Sequence, residues 1–199
     1  DAYNIESAIS IFGKKEDELD DKTYQEKTKE IKEVLKAVVD DVLRTERDNS
    51  ELITNLLRFA LINGFSEESK RLIPIAKKLG TLESRNADDM TPLHLSLMAS
   101  GLDDSIDNIT RLLMIKCGVD VNAVFGAERN MNLLTFYIYK SAKFKENIFN
   151  LIVAKGVTTV SVNNYKPMFR MGLDTSVRSL AKVAVMRDSD TVLGVMGLK

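Results

Sequence analysis

His94 and Cys117 are the only imidazole and the only thiol among 199 residues. A Cys–His nucleophile needs the ring within hydrogen-bond reach of the sulfur and a third polar group to orient the ring. Asp120 and Asn122 follow Cys117 closely enough in sequence to be offered for that third role. No residues resembling an oxyanion site accompany them. The plainer reading has Cys117 as a small buried apolar side chain and His94 as a group that hydrogen-bonds backbone. One His and one Cys cannot form a metal site alone. The chain carries no phosphate-binding glycine loop, zinc-ligand cluster or G-x-S-x-G. The expectation is therefore no catalytic residue, no metal, no cofactor and no small-molecule ligand.

The elements that position these groups begin at Thr91-Pro92. A hydroxyl that can cap, followed by a proline whose missing N–H costs nothing at the first helical position, opens a helix. Leu93, Leu95, Leu97 and Met98 give it an apolar side. Ser105 can cap a second helix containing Ile106, Ile109, Leu112, Leu113 and Cys117, which Gly118 ends in the left-handed conformation. Val119 to Ala123 is expected to run extended. In such an antiparallel pair, His94 at the start of one helix and Cys117 at the end of the other lie at the same end.

The motif Thr91-Pro92-Leu93-His94, followed by Gly118-Val119-Asp120-Val121-Asn122-Ala123, resembles the ankyrin repeat, whose pattern carries T-P-L-H at its first helix and G-A-D-V-N-A after its second. The resemblance is strongest over residues 86–123. It implies an all-α solenoid of stacked helix pairs. In it the Thr and His tie the turn backbone and link neighbouring repeats, and partners engage the concave side made by fingers and first helices. Residue by residue, that side offers Asp88, Met90 and Met98 in the second repeat, Arg129, Met131, Tyr139 and Lys140 in the third, and Tyr165 in the fourth. Aromatic, Met and Arg side chains are the types enriched at interface centres.

Around this unit the chain divides into a helical N-terminal cap (residues 1–48), about four degenerate repeats (49–187) and a tail (188–199). Ile5, Ala8, Ile9 and Phe12 predict a short helix stopped at Gly13. Thr23 and Glu26 have capping-box spacing ahead of a long amphipathic segment. Its stripe, Ile31, Val34, Leu35, Val38, Val39, Val42 and Leu43, is expected to cover the apolar end of the stack. Asn49 or Ser50 caps the first helix of repeat one, which ends at Gly64, and Ser66 opens the second, which closes at Gly80. Pro74 is expected to kink or break that second helix. Repeat three starts at Asn132-Leu133-Leu134-Thr135 and stops at Gly156; repeat four starts at Lys166-Pro167. Gly80, Gly118 and Gly156 stand 38 residues apart, against a family period of ~33. The surplus is expected just before the second helices.

Composition fits a soluble domain with a sizeable core: 44% of residues are hydrophobic. With 28 basic and 29 acidic residues and a net charge of −1, neither nucleic acid nor an anionic membrane is expected as the main partner. A lone cysteine favours a reducing, cytoplasmic setting. The chain begins at Asp1 without methionine, so a piece of a longer protein is expected. Together these features predict a non-catalytic module that binds another protein. A composition rich in Asn, Lys and Ile points to an AT-rich genome, so the alternative is a bacterial or viral effector that acts in a host cytosol by binding. A Cys/His enzyme comes last.

Overall fold

The computed structural model describes residues 21–45, 49–100, 103–125, 131–143 and 145–157. The short helix expected over 1–13, repeat four and the tail lie outside the described residues. Within them the chain is all-α: α1 (Asp21–Thr45), α2 (Ser50–Ile62), α3 (Ser66–Lys78), α4 (Pro92–Met98), α5 (Asp104–Arg111), α6 (Leu133–Lys140) and α7 (Glu146–Ala154). A π-helical turn, Leu112–Lys116, continues α5. The described residues contain no strand, only two isolated bridges, Ser100 with Asp103 and Phe125 with Met131.

Local signals set the helix ends. Asn49 Oδ1 accepts the Leu52 N–H, and Asn132 Oδ1 accepts the Thr135 N–H, so each satisfies a donor that the helix itself leaves free. At the C-termini, Gly64, Gly80 and Gly156 have φ of 70°, 72° and 96°. Each closes its helix with paired 6→1 and 5→2 backbone bonds, such as Thr81 N–H to the Ala76 carbonyl and Gly80 N–H to that of Lys77. A Cβ at Gly80 or Gly156 would meet no atom within 4 Å, so it is the backbone angle that demands glycine there. Gly118 also has the expected left-handed angle, φ 64°, but a different closure. The π turn ahead of it replaces the usual closure with bonds from Cys117 N–H to the Leu112 carbonyl and from Val119 N–H to that of Leu113.

Four expectations are corrected. Thr23 lies inside α1 and does not cap it. Asp103, not Ser105, caps α5, and its carboxylate accepts both the N–H and the hydroxyl of Ser105. α3 runs through Pro74 without the break, the stronger of the two expected outcomes; the proline is exposed, and buried Leu72, Ile73 and Ala76 hold the helix against the loss of one backbone bond. Val119–Ala123 is not a continuous extended run, because the chain turns at Val121–Asn122, where Asp120 Oδ1 accepts the Asn122 N–H.

The helices pack in two rows. α2 contacts α4 and α4 contacts α6, while α3 contacts α5, and within pairs α2 packs on α3, α4 on α5 and α6 on α7. α4 and α5 are antiparallel: Ser96 meets Thr110 at 3.0 Å and Ser100 meets Asp107 at 2.9 Å, one register ascending as the other descends. α1 lies against α3, burying Ile31, Leu35, Val38, Val39 and Val42 as its stripe predicted. The equal glycine spacing conceals unequal units. The finger at 119–132 is three residues longer than the one at 81–91, α6 is one longer than α4, and α7 is four shorter than the 13-residue course of α5 and its π turn. The loops before the second helices, 99–103 and 141–145, are equally long. The two units thus reach the same length by different divisions between finger and helices.

Candidate functional site

Thr91 and His94 form a reciprocal cap at the start of α4. His94 Nδ1 accepts the Thr91 N–H at 3.1 Å and lies 2.8 Å from the Thr91 hydroxyl, while the His94 N–H reaches Thr91 Oγ1 at 3.4 Å. Because Nδ1 accepts, the ring proton sits on Nε2. That Nε2 is buried and makes no well-formed hydrogen bond; the Ala123 carbonyl acts on the ring only as a weak acceptor. The ring is fully enclosed, edge-on to Phe136 with centroids 4.8 Å apart and 6.0 Å from Phe125; the two phenylalanines themselves stand 5.0 Å apart. Burial, reinforced by the Arg85 charge, lowers its pKa to about 4, against weaker opposing effects from Asp89 and the Ala123 carbonyl.

This environment bears directly on the Cys–His possibility. Neither ring nitrogen meets Cys117 Sγ: one is engaged by Thr91, the other makes no well-formed hydrogen bond. Partial burial raises the thiol pKa, only partly offset by Lys77. A thiolate–imidazolium pair requires both shifts to run the other way. Nor do the described residues hold a group of three or more His, Cys, Asp and Glu able to bind a metal ion.

What the fold builds at the finger end is a polar tie between successive units. Arg85 Nη1 donates to the Asp89 carbonyl at 2.8 Å and the Val124 carbonyl at 2.7 Å, and pairs with the Asp89 carboxylate at 3.3 Å. Arg58 on α2 in turn donates to the Arg85 carbonyl, and Glu83 accepts the Asp120 N–H. Asn86 shapes the finger tip by accepting the N–H groups of Asp88 and Met90 on its side-chain oxygen. Asp89 adopts φ of 62° there, a left-handed conformation that Asp tolerates better than most residues. One finger is thereby bolted to the next.

A second tie, at the opposite end of α4, was not anticipated from the sequence. The Tyr137 hydroxyl accepts the Lys145 N–H at 2.9 Å and lies 3.3 Å from Ser100 Oγ. Ser100 donates to Asp107, and Asp107 pairs with Lys145 Nζ at 2.8 Å. Lys145 also pairs with exposed Asp104, and its hydrogen bonds to Asp104 and then Asp107 hold its pKa above the ordinary lysine range. Ser100, Asp107 and Tyr137 are buried. Tyr137→Phe is expected to cost about 1–3 kcal/mol, because it strands the Lys145 N–H without an acceptor. Thermal melting checks this, and an unchanged melt would mean that the hydroxyl carries no stability.

The expected partner-contacting residues separate accordingly. Asp88 is exposed at the finger tip, and Met98 and Lys140 are half-buried at the C-terminal ends of α4 and α6. Lys140 Nζ lies 5.9 Å from the Phe125 ring centroid. Met131 is fully buried and Met90 nearly so; both pack into the core and leave the expected contact set. The bodies of the first helices leave it too, since Pro92–Leu97 and Leu133–Ile138 are buried throughout. The backbone of Tyr139 belongs to α6, but its side chain lies outside the described residues, as do Arg129 and Tyr165.

Among the described residues no helix is long and apolar enough to cross a membrane. No protein-family profile, curated protein or solved structure matches the chain.

Proposed function

We propose that the protein is a non-catalytic binding module, an ankyrin-like stack that presents its finger tips and the C-terminal ends of α4 and α6 to a partner protein. The observation that carries this reading is the Arg85 tie, which joins the backbone of one finger to that of the next. Loops held at fixed separation lose little conformational entropy when a partner engages several of them at once. Charge-assisted bonds to carbonyls are stronger than neutral ones, so they hold the two loops firmly at that separation. The raised thiol and the depressed imidazole support the same reading, because they leave the Cys–His pair unprimed for chemistry.

Photo-crosslinking tests this proposal. A photoreactive residue at Asp88 or at Met98 is expected to trap a discrete protein adduct in lysate of the source cell, and the same residue at exposed Asn150 on α7 is expected to trap none. Adducts from position 150 alone, or from no position, would overturn the finger-face reading.

A further inference from the structure

On the opposite row, α3, α5 and the π turn enclose a groove of about 270 Å³. Its lining includes Ile109, Leu112 and Ile115, with Lys70, Arg111 and Lys116 around them. Ile115 is 53% exposed, the one large hydrophobic side chain exposed among the described residues. The buried set Ile106, Ile109, Thr110 and Leu113 repeats at helical spacing and leaves position 115 on the far side of the helix.

A single exposed aliphatic side chain on a ridge needs no explanation. This one stands in a concavity, and the charges beside it meet no carboxylate among the described residues. The ion pairs of the described residues use Arg44, Arg71, Arg85 and Lys145, and none engages Lys70, Arg111 or Lys116. In a chain with slightly more acidic than basic residues, three cations that form no ion pair among the described residues, all around one apolar groove, are a local excess. Its volume falls just below the ~300–1,000 Å³ typical of pockets that enclose a whole small molecule. It suits one bulky side chain delivered by a longer ligand.

We infer that this groove docks an acidic peptide segment of a second protein, with one aliphatic side chain seated against Ile109, Leu112 and Ile115 and flanking carboxylates on Lys70, Arg111 and Lys116. A phosphate backbone would satisfy the cations but bring no aliphatic group to the floor. A flat bilayer would not enter the concavity. The site is distinct from the finger face, and neither depends on the other.

The probe is a short fluorescein-labelled peptide of Glu and Asp around one Leu, titrated with the full chain and followed by anisotropy. Saturable binding is expected, with Ile115→Ser weakening it about tenfold through the lost apolar contact. Arg111→Glu combined with Lys116→Glu is expected to weaken it about a hundredfold and to flatten its salt dependence. Both variants alter side chains that are not fully buried, and each is compared only after its melt matches that of the parent chain; Lys70→Glu, on an exposed residue, serves if either fails to fold. Absence of saturable binding would overturn the inference. So would equal binding of a peptide with Ser in place of Leu, or full competition by single-stranded DNA. Self-association in sedimentation that disappears in Ile115→Ser would assign the groove to a second copy and equally overturn it.

Discussion

Between pH 7 and pH 4.5 the protein is expected to lose about 2.5 kcal/mol of stability through His94 alone. In the unfolded chain the imidazole takes up a proton near its ordinary 6.5; in the folded chain, burial and then Arg85 delay this to about 4. As pH falls through that window the unfolded state gains the proton first, so the equilibrium moves toward unfolding. Below the folded value both states carry the proton and the loss levels off. His94 is the chain's single histidine, which makes the window easy to attribute. For a chain of this size the loss corresponds to roughly 5–10 °C in melting temperature. Calorimetry at pH 7, 5.5 and 4.5 on the parent chain and on His94→Asn, which keeps a short polar group near Nδ1, separates this from carboxylate titration. Asn has no proton to gain, so its melt should change much less over the range. Parallel pH curves for the two proteins would show that His94 is not held neutral by the fold.

The parts of the fold legible in the sequence are those decided within a few residues. Asn49 ahead of an apolar helix, Thr91-Pro92 at a helix start and glycine at the helix stops each answer the same local need, a backbone group or dihedral that a helix end leaves unsatisfied. The α1 stripe was legible because one face of a helix recurs every three to four residues. Choices between neighbours were not. Asp103 and Ser105 are both good capping residues, and the outcome is settled by the bridge between Ser100 and Asp103, which no local pattern records. Pro74 read as a kink or a break because the pattern gives the cost of a lost bond and omits the packing that meets it.

The binding face was legible only in outline. Methionine serves interface centres and core gaps alike, and composition could not assign Met90 and Met131 to the core; that follows from the finger folding back so that Met131 pairs with Phe125. The polar network of Ser100, Asp107, Tyr137 and Lys145 draws on two helices, α5 and α6, and the loops that precede α5 and α7. Each of those residues taken singly looks like an ordinary surface or capping position. The longer finger and α6 were hidden by a shorter α7, because the glycine interval registers only their sum.

Phe136→Ala is expected to cost about 3–5 kcal/mol, among the largest effects of any single truncation in this chain. Its ring is fully buried and packs edge-on against both His94 and Phe125. Phe125 comes from the finger and His94 from the start of α4, so the ring closes the seam between two successive units. Loss of that much of a domain's net stability should leave a protein that still folds at low temperature but melts far earlier. The same substitution should also change the pH response. Opening a cavity beside the imidazole lets water reach Nε2, the buried nitrogen that lacks a well-formed hydrogen bond, and relieves the desolvation that lowers the His94 pKa. The folded value should then move from about 4 back toward 6.5, and the stability lost on acidification should shrink accordingly. Phe136→Leu, which fills most of the space, should cost less and keep the parent's pH dependence. An NMR titration of the single histidine Cε1–H in the parent and both variants reads the shift directly. If Phe136→Ala destabilises the fold yet leaves the His94 titration in place, the ring contributes packing alone, and something other than the aromatic seam keeps the imidazole dry.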